Sequence, residues 1–410
     1  MLDSLVDRKI VESLRSGVPS QEAVRLLGSG QPQLERKFER LLEDPRSGLV
    51  LRAGFGEGKS HFLAYLEQLA LERGYAVSRV VISKETPLYS PVRMLAAATE
   101  NLRLPGMPGR GLDGIVDGLR HSLDTSAFAE LLTFLDTAAL SPQFEATAVL
   151  FANNRSHEEL VDRLVRFWSG EKFTTAEIKR HLKQIGAHKT YSIQALKARE
   201  LALQTFTFLT RLLRTAGTKG WVLLLDEVEL IGRYTRLQRA RAYAELGRWL
   251  GEWPGEEREG LVTIAAITSD FEAEVLERKG DRAAITDFLR LREAELSKPA
   301  RRGIERIAKA ERLVEPGPES LKRTYQILKE VHGRAYQWSP PDVTGPEMLG
   351  SIPMRAFVRA WINAFDLRRL YPEQRYDESG YELTRLLSDY TEQPDLQIEV
   401  SSENPPNERE

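Results

Sequence analysis

The chain has 410 residues, 41% of them hydrophobic, enough to build two or three domains with cores of their own. Its 58 Lys and Arg against 60 Asp and Glu give a formal net charge of −2, so no global field draws it to nucleic acid and any such contact needs a local patch. Cysteine is absent, which excludes disulfides, thiolate zinc sites and thiol catalysis; the six histidines show no metal-ligand spacing, and neither a long apolar span nor a charged-then-apolar leader is evident. The expectation is a soluble cytoplasmic protein whose one metal is Mg²⁺ brought in by a nucleotide.

Residues 1–30 read as an N-terminal helical segment. The stretch "SGLVLRAGFGEGKSHFLAYLEQLALERGYAVSRVVIS" then gives a strand from Leu49 to Ala53, a tight loop, a helix with apolar Leu63, Leu66 and Leu69, a stop at Gly74 and a second strand. This is the first part of a phosphate-binding core, residues 31–99. A P-loop needs glycines so that backbone N–H groups can approach phosphate oxygens closely, a Lys to reach the β- and γ-phosphates, and a Ser or Thr to hold Mg²⁺. The candidate nucleotide contacts are accordingly Gly54, Phe55, Gly56, Glu57, Gly58, Lys59, Ser60 and His61, with Ser60 also a metal ligand. Ala53 stands where such loops carry their first glycine, a departure at the outer end where the chain is leaving its strand.

Residues 100–204 read as a helical insertion, because about 136 residues separate Ser83 from Gly220 where a minimal crossover needs about a dozen. The Gly- and Pro-dense "LRLPGMPGRGLDG" (102–114) marks its hinge or boundary. Its most basic part, "RHLKQIGAHKTYSIQALKARE" (180–200), which includes Tyr191, is the first choice for a nucleic-acid patch.

The core resumes over residues 205–300. "GWVLLLDEVELIG" (220–232) has the form of a Walker B strand, a continuous apolar run ending in acids at a ligand crevice. Asp226 would hold Mg²⁺ and Glu227 would orient and deprotonate the attacking water; the competing reading is an acidic helix N-cap. Glu229 reads as a surface or capping residue, or as a substitute base should the strand end later. In the Arg-rich segment that follows, Arg233, Arg236, Arg239, Arg241 and Arg248 spread around a helix, as on a solvated face before a partner or phosphate-backbone surface. "GLVTIAAITSD" (260–270) is a third strand whose Thr268 and Ser269 either sense the γ-phosphate or merely end the strand. Arg278, Arg282, Arg290 and Arg292 follow it as arginine-finger candidates, and spacing selects none of them.

Residues 301–388 form a C-terminal helical region, a lid or winged-helix-like unit, broken at "VEPGPES" and "WSPPDVTGPEMLGSIP". In it Arg355 of "SIPMRAFVRAWINAFDLRRL" is a lid-borne sensor or part of a solvated helix face. Residues 389–410 read as an acidic, largely disordered tail. The fold class expected is α/β, a P-loop parallel sheet with a large helical insertion and a C-terminal helical region.

Taken together, "GFGEGKSHFL", the long insertion, "GTKGWVLLLDEVELI" with its Arg-rich helix and "SIPMRAFVRAWINAFDLRRL" resemble the ATP-binding proteins of the BREX phage-defence system, BrxD type, over most of residues 30–375. The resemblance implies an AAA/ASCE-like P-loop ATPase fold related to origin-recognition ATPases, partnership with a helicase and a role in defence against foreign DNA. By position it makes Lys59 and Ser60 the phosphate and Mg²⁺ contacts and Asp226 and Glu227 the Walker B pair. The function expected is a Mg²⁺-dependent ATPase, using Glu227, Lys59, Thr268 and Arg355, that couples its nucleotide state to assembly with a helicase, other defence-system proteins or DNA. Turnover is expected to be slow in isolation, since the finger Arg would come from a second surface such as a homo-oligomer. A nucleotide-gated adaptor without turnover is the alternative, and a small-molecule kinase comes last.

Overall fold

The computed structural model describes residues 2–18, 20–121, 123–253, 256, 258–343, 354–373 and 390–393. Six strands, β1 (Gly48–Ala53), β2 (Ala76–Val81), β3 (Leu102–Arg103), β4 (Trp221–Asp226), β5 (Leu261–Thr268) and β6 (Glu311–Arg312), form one sheet in the order β3-β2-β4-β5-β1-β6. Every pairing is parallel except that of β2 with β3. Continuous Val, Leu and Ile runs suit strands covered on both faces, and β4 and β5 are buried at every position. The alternation of side chains along β4 divides the core: Val222 and Leu224 face Phe38, Phe62 and Leu66, whereas Trp221, Leu223 and Leu225 join the larger cluster on the opposite side.

That larger cluster extends without a break into the insertion, whose helices are Pro91–Glu100, Asp113–His121, Thr125–Thr137, Pro142–Asn153, Glu158–Trp168, Thr175–Gln184 and Ala198–Thr215. Phe206 stacks on Trp221 of β4 with ring centroids 5.3 Å apart. The last of these helices therefore belongs to both units and runs across the boundary expected at 204. The Gly- and Pro-dense stretch is likewise anchored, through β3 and the bond from Gly111 N–H to Leu102 O (2.8 Å).

The Arg-rich helix, Arg236–Trp249, is not a solvated face: apart from Arg241 it is buried from Arg239 to its end. Opposite charges make this tolerable. Arg239 donates to both oxygens of buried Asp281 (2.7 and 3.0 Å), which also accepts from Tyr243 (2.8 Å), and Arg241 pairs with Glu293. The helix crosses Ala294–Ala308 at Gly247 and Gly303, where a Cβ on Gly303 would come within 2.0 Å of Tyr243 O.

The N-terminal helices Leu2–Ser16 and Gln21–Leu27, expected as a segment of their own, share a core with the C-terminal helices Pro318–Tyr336 and Met354–Leu370 through Val11, Leu14, Leu328, Trp361 and Phe365. Asp7 accepts a bidentate bond from Arg334 (2.9 and 3.0 Å). Buried His332 accepts from Trp338 at Nδ1 (2.9 Å) and donates from Nε2 to Asp366 (3.2 Å). Of the tail, residues 390–393 are docked at the carboxyl ends of β4 and β5, with Tyr390 only 8% exposed. Residues 394–410, and most of the break at "WSPPDVTGPEMLGSIP", lie outside the described residues.

Removing one member of a buried, hydrogen-bonded ion pair strands the other charge. Asp281→Ala is therefore expected to destabilise the protein by about 3–5 kcal/mol, read as a lowered midpoint in denaturant unfolding.

Candidate functional site

Ala53 is the last residue of β1, pairs in register with Thr268 and has its side chain in the core with Phe62 and Leu63. Its Cβ points away from the loop, and its carbonyl accepts from the Lys59 ammonium (3.2 Å). The glycines that matter are further on. Gly56 and Gly58 hold φ of +78° and +99°, the left-handed region that costs glycine least. Gly58 caps the helix Lys59–Glu72, so the loop delivers its N–H groups to a helix N-terminus, a ready anion site. One of those donors shows the affinity directly: Gly54 N–H is bound by the Glu57 carboxylate, which lies where a Cβ on Gly54 would clash, within 2.2 Å. Glu57, expected among the nucleotide contacts, here supplies the carboxylate that the loop amide holds.

A cavity of about 620 Å³ opens on this loop and is lined by Phe55 to Phe62, Asp226, Glu227, Glu229, Arg233 and Tyr390. Its far walls come from Leu27 to Gln31, Leu313, Val314 and Pro316, and from Met354 and Arg355. Two paired contacts hold these walls in place. Gln31 exchanges two bonds of 2.8 Å with the backbone of Val314, and His61 Nε2 reaches Gly28 O at 2.7 Å. Burial, which outweighs the Gly28 contact, lowers the His61 pKa and keeps the ring neutral.

Asp226 is buried at the end of β4. Its Oδ2 accepts from Arg79 (2.6 Å) and its Oδ1 from Glu227 N–H (3.0 Å), so its carboxylate is fixed by its neighbours. Glu227 is the turn residue itself, with φ +57°, and is exposed to the cavity. A non-glycine residue there carries strain, which clusters at functional sites. Loss of solvent and then the adjacent Asp226 raise its pKa.

Glu229, read as a surface or capping residue or a substitute base, is placed against the phosphate-loop lysine. It sits in the first turn of the short helix Val228–Arg233, with one oxygen 3.9 Å from the Lys59 ammonium and the other buried without a partner. Burial pushes its pKa up to about 7 against the pull of Lys59. The signal in the sequence was a third acid inside an otherwise apolar turn.

Other candidates are placed differently from expectation. Thr268 is buried and bonded to Tyr390 (2.6 Å), and Tyr390 lines the cavity in its place, while Ser269 is exposed. Arg355 stands at the mouth, its N–H on Gly56 O (3.4 Å) and its guanidinium on the Phe55 ring and Gly17 O. Arg278, Arg282 and Arg290 pair with acids on their own or the adjoining turn, and Arg292 lies over Phe288. The arginines that line the cavity are Arg233 and Arg355.

Parallel strands with an acidic edge, a glycine loop capping a helix and a buried Lys together define a P-loop-type α/β protein. Residues 3–280 match the family described as BREX system ATP-binding protein BrxC/D, and the chain belongs to that family. Comparison with curated proteins and with solved structures gives no match.

Because the folded state raises the Glu229 pKa above its ordinary 4.5, the native protein holds that proton more tightly than the unfolded chain. The resulting stabilisation is full below about pH 4.5 and is lost as pH rises through about 7. Glu229→Gln, neutral at every pH, should be more stable than wild type at pH 8 by up to about 3 kcal/mol, with little difference at pH 5. Urea midpoints at the two pH values measure this.

Proposed function

We propose that this BREX protein is a Mg²⁺-dependent ATPase whose nucleotide state governs assembly with other components of the defence system. The observation that carries the reading is the convergence of Lys59, Asp226, Glu227 and Glu229 on one cavity beside a glycine loop. Hydrolysis asks the protein mainly for positioning and charge neutralisation. The loop N–H groups and the Lys59 ammonium receive the β- and γ-phosphates. Ser60 and Asp226 supply hydroxyl and carboxylate oxygens, the donors that suit Mg²⁺, which neutralises phosphate charge when bound. Among the described residues no group of three or more His, Cys, Asp or Glu is placed to hold a metal, so Ser60 and Asp226 would hold a Mg²⁺ that arrives with the nucleotide.

Glu227 faces the cavity with a raised pKa and is the group to take the proton as water attacks the γ-phosphorus and the bond to ADP breaks; a carboxylate whose pKa lies nearer the working pH is the better base. Glu229 holds the Lys59 ammonium from below. Arg233 and Arg355, on the cavity wall, are the cis candidates for balancing charge on the transferred group. Arg278, Arg282 and Arg290 are off the cavity wall, so a finger from among them would serve a second copy, and turnover would then rise with assembly.

For a DNA partner the support is the stretch from Lys179 to Lys197. It contains no acid and exposes Lys179, Arg180, Lys183, Lys189 and Lys197. Tyr191 is not part of that surface, being bonded to Glu145 (3.3 Å). Binding through such lysines weakens steeply with salt. The helicase partner follows from the family resemblance, and the homo-oligomer from the need for an arginine finger from a second surface.

Two substitutions test the chemistry. Lys59→Ala should abolish the rise in melting temperature that ATP with Mg²⁺ gives the wild type. Glu227→Gln should keep ATP affinity while hydrolysis falls by about 10²–10⁴-fold, and should trap the complex with partner or DNA. Full cellular defence from Glu227→Gln with no measurable hydrolysis would favour the adaptor instead.

A further inference from the structure

A second cavity, of about 100 Å³, opens at the end of β5 remote from the phosphate loop. Leu261, which begins the strand, is in its wall, whereas Thr268 at the other end pairs with Ala53. The eight residues of β5, at about 3.3 Å each, put roughly 25 Å between the two sites. Phe134 and Phe206, from two helices of the insertion, form the apolar side of the cavity, and Arg258 and Glu259, from the turn ahead of the strand, form the charged side.

Arg258 is the unusual member. It is only 8% exposed, and its Nε and Nη1 are buried without a partner, an arrangement that costs stability until something accepts from them. Burial lowers its pKa to about 10 against the pull of Glu245, so the guanidinium keeps its charge at neutral pH. Its face is covered by the Trp249 ring, 4.4 Å away, which leaves the in-plane N–H groups to make its bonds. Nη2 meets Glu256 (3.1 Å), but Glu256 is also held by Arg248, and Glu245 serves both Arg248 and Arg199. Among the described residues, three guanidiniums here share two carboxylates, and the group is short of one negative charge.

The remaining features narrow what could supply that charge. Arg211, also in the wall, lies over the Phe134 ring (4.3 Å) and shares Glu259 with Arg214. Glu259 therefore faces the space and disfavours a dianion. The volume admits several waters or one small organic anion, and Phe134, Phe206 and Leu261 offer a surface to a short apolar chain.

We propose that this cavity is a binding site for a small monocarboxylate, with the Arg258 guanidinium receiving the carboxylate and the two phenylalanines its apolar end. A ligand there bridges the turn ahead of β5 and the insertion helices, at the far end of the strand from the nucleotide cavity. The site stands whether or not the protein binds ATP.

The test follows the melting temperature of the full-length protein during titration with sodium propionate, with sodium chloride at equal ionic strength and inorganic phosphate as comparators, and takes affinities from calorimetry. Propionate should give a saturable rise, chloride none, and phosphate less than propionate. Arg258→Gln should weaken propionate binding by about ten- to a hundredfold, the worth of hydrogen bonds from a charged group. Thr207→Leu, on the cavity wall, fills the space and leaves Arg258 with its acids, so it should remove the response even if Arg258→Gln fails to fold. Lys59→Ala should respond to propionate as the wild type does, which separates this site from the nucleotide reading. The proposal is overturned by a wild-type protein that ignores propionate, by an equal or greater response to chloride or phosphate, or by a propionate response that survives Thr207→Leu.

Discussion

The site depends on one constraint of the sheet, the insertion of β5 between β1 and β4. Two strand spacings, about 9–10 Å, separate the end of the P-loop strand from the end of the acidic strand. That gap is wide enough for a triphosphate and its ion to lie between a loop of amides and a row of carboxylates, and narrow enough for Lys59 to reach back to Glu229. The order is held by continuous burial of β4 and β5, which tolerate no polar face and therefore cannot serve as edges.

Behind the sheet, charge is used in the interior to fix how elements meet. Arg239 joins the Arg-rich helix to Asp281 in the segment after β5, and its remaining donors go to the Tyr234 carbonyl and Glu392. An ion pair of this kind adds little net stability over an apolar pair of equal volume. It does restrict which partner each surface accepts, because any other docking leaves a buried charge alone. The docked segment that carries Tyr390 is fastened to this same arginine, so its placement and the packing of the helix behind it are coupled.

The legible parts of the chain were those written in local patterns. The loop from Gly54 to Ser60, the β4 run ending at Asp226 and the β5 run ending at Thr268 each announce themselves within about a dozen residues, and the strands follow with boundaries off by a residue or two. What failed was whatever depended on distant partners. The arginines of the helix Arg236–Trp249 read as solvated because Asp281 and Glu293, which neutralise two of them, lie tens of residues away. Glu229 read as surface because the turn after β4 is a tight helix that brings its side chain under Lys59. Tyr390 was lost in a polar, acidic stretch, where one aromatic carries no periodicity to reveal that it is buried.

The lobe formed by the N-terminal and C-terminal helices has a consequence for the order in which the molecule comes together. Its ties link Asp7 to Arg334 and Arg15 to Asp366, across 327 and 351 residues. Closing loops of that size is slow compared with local pairing, and during synthesis it must wait until the second partner has left the ribosome. The sheet through β5 can be complete before then, with the glycine loop and the acids already in place. The walls made by Leu27, Gly28, Val314 and Met354 come last, so a chain still being made exposes a phosphate loop with no pocket around it. Nucleotide retention is thereby a property of the finished chain, and loss of the lobe would release ligand long before the sheet unfolds.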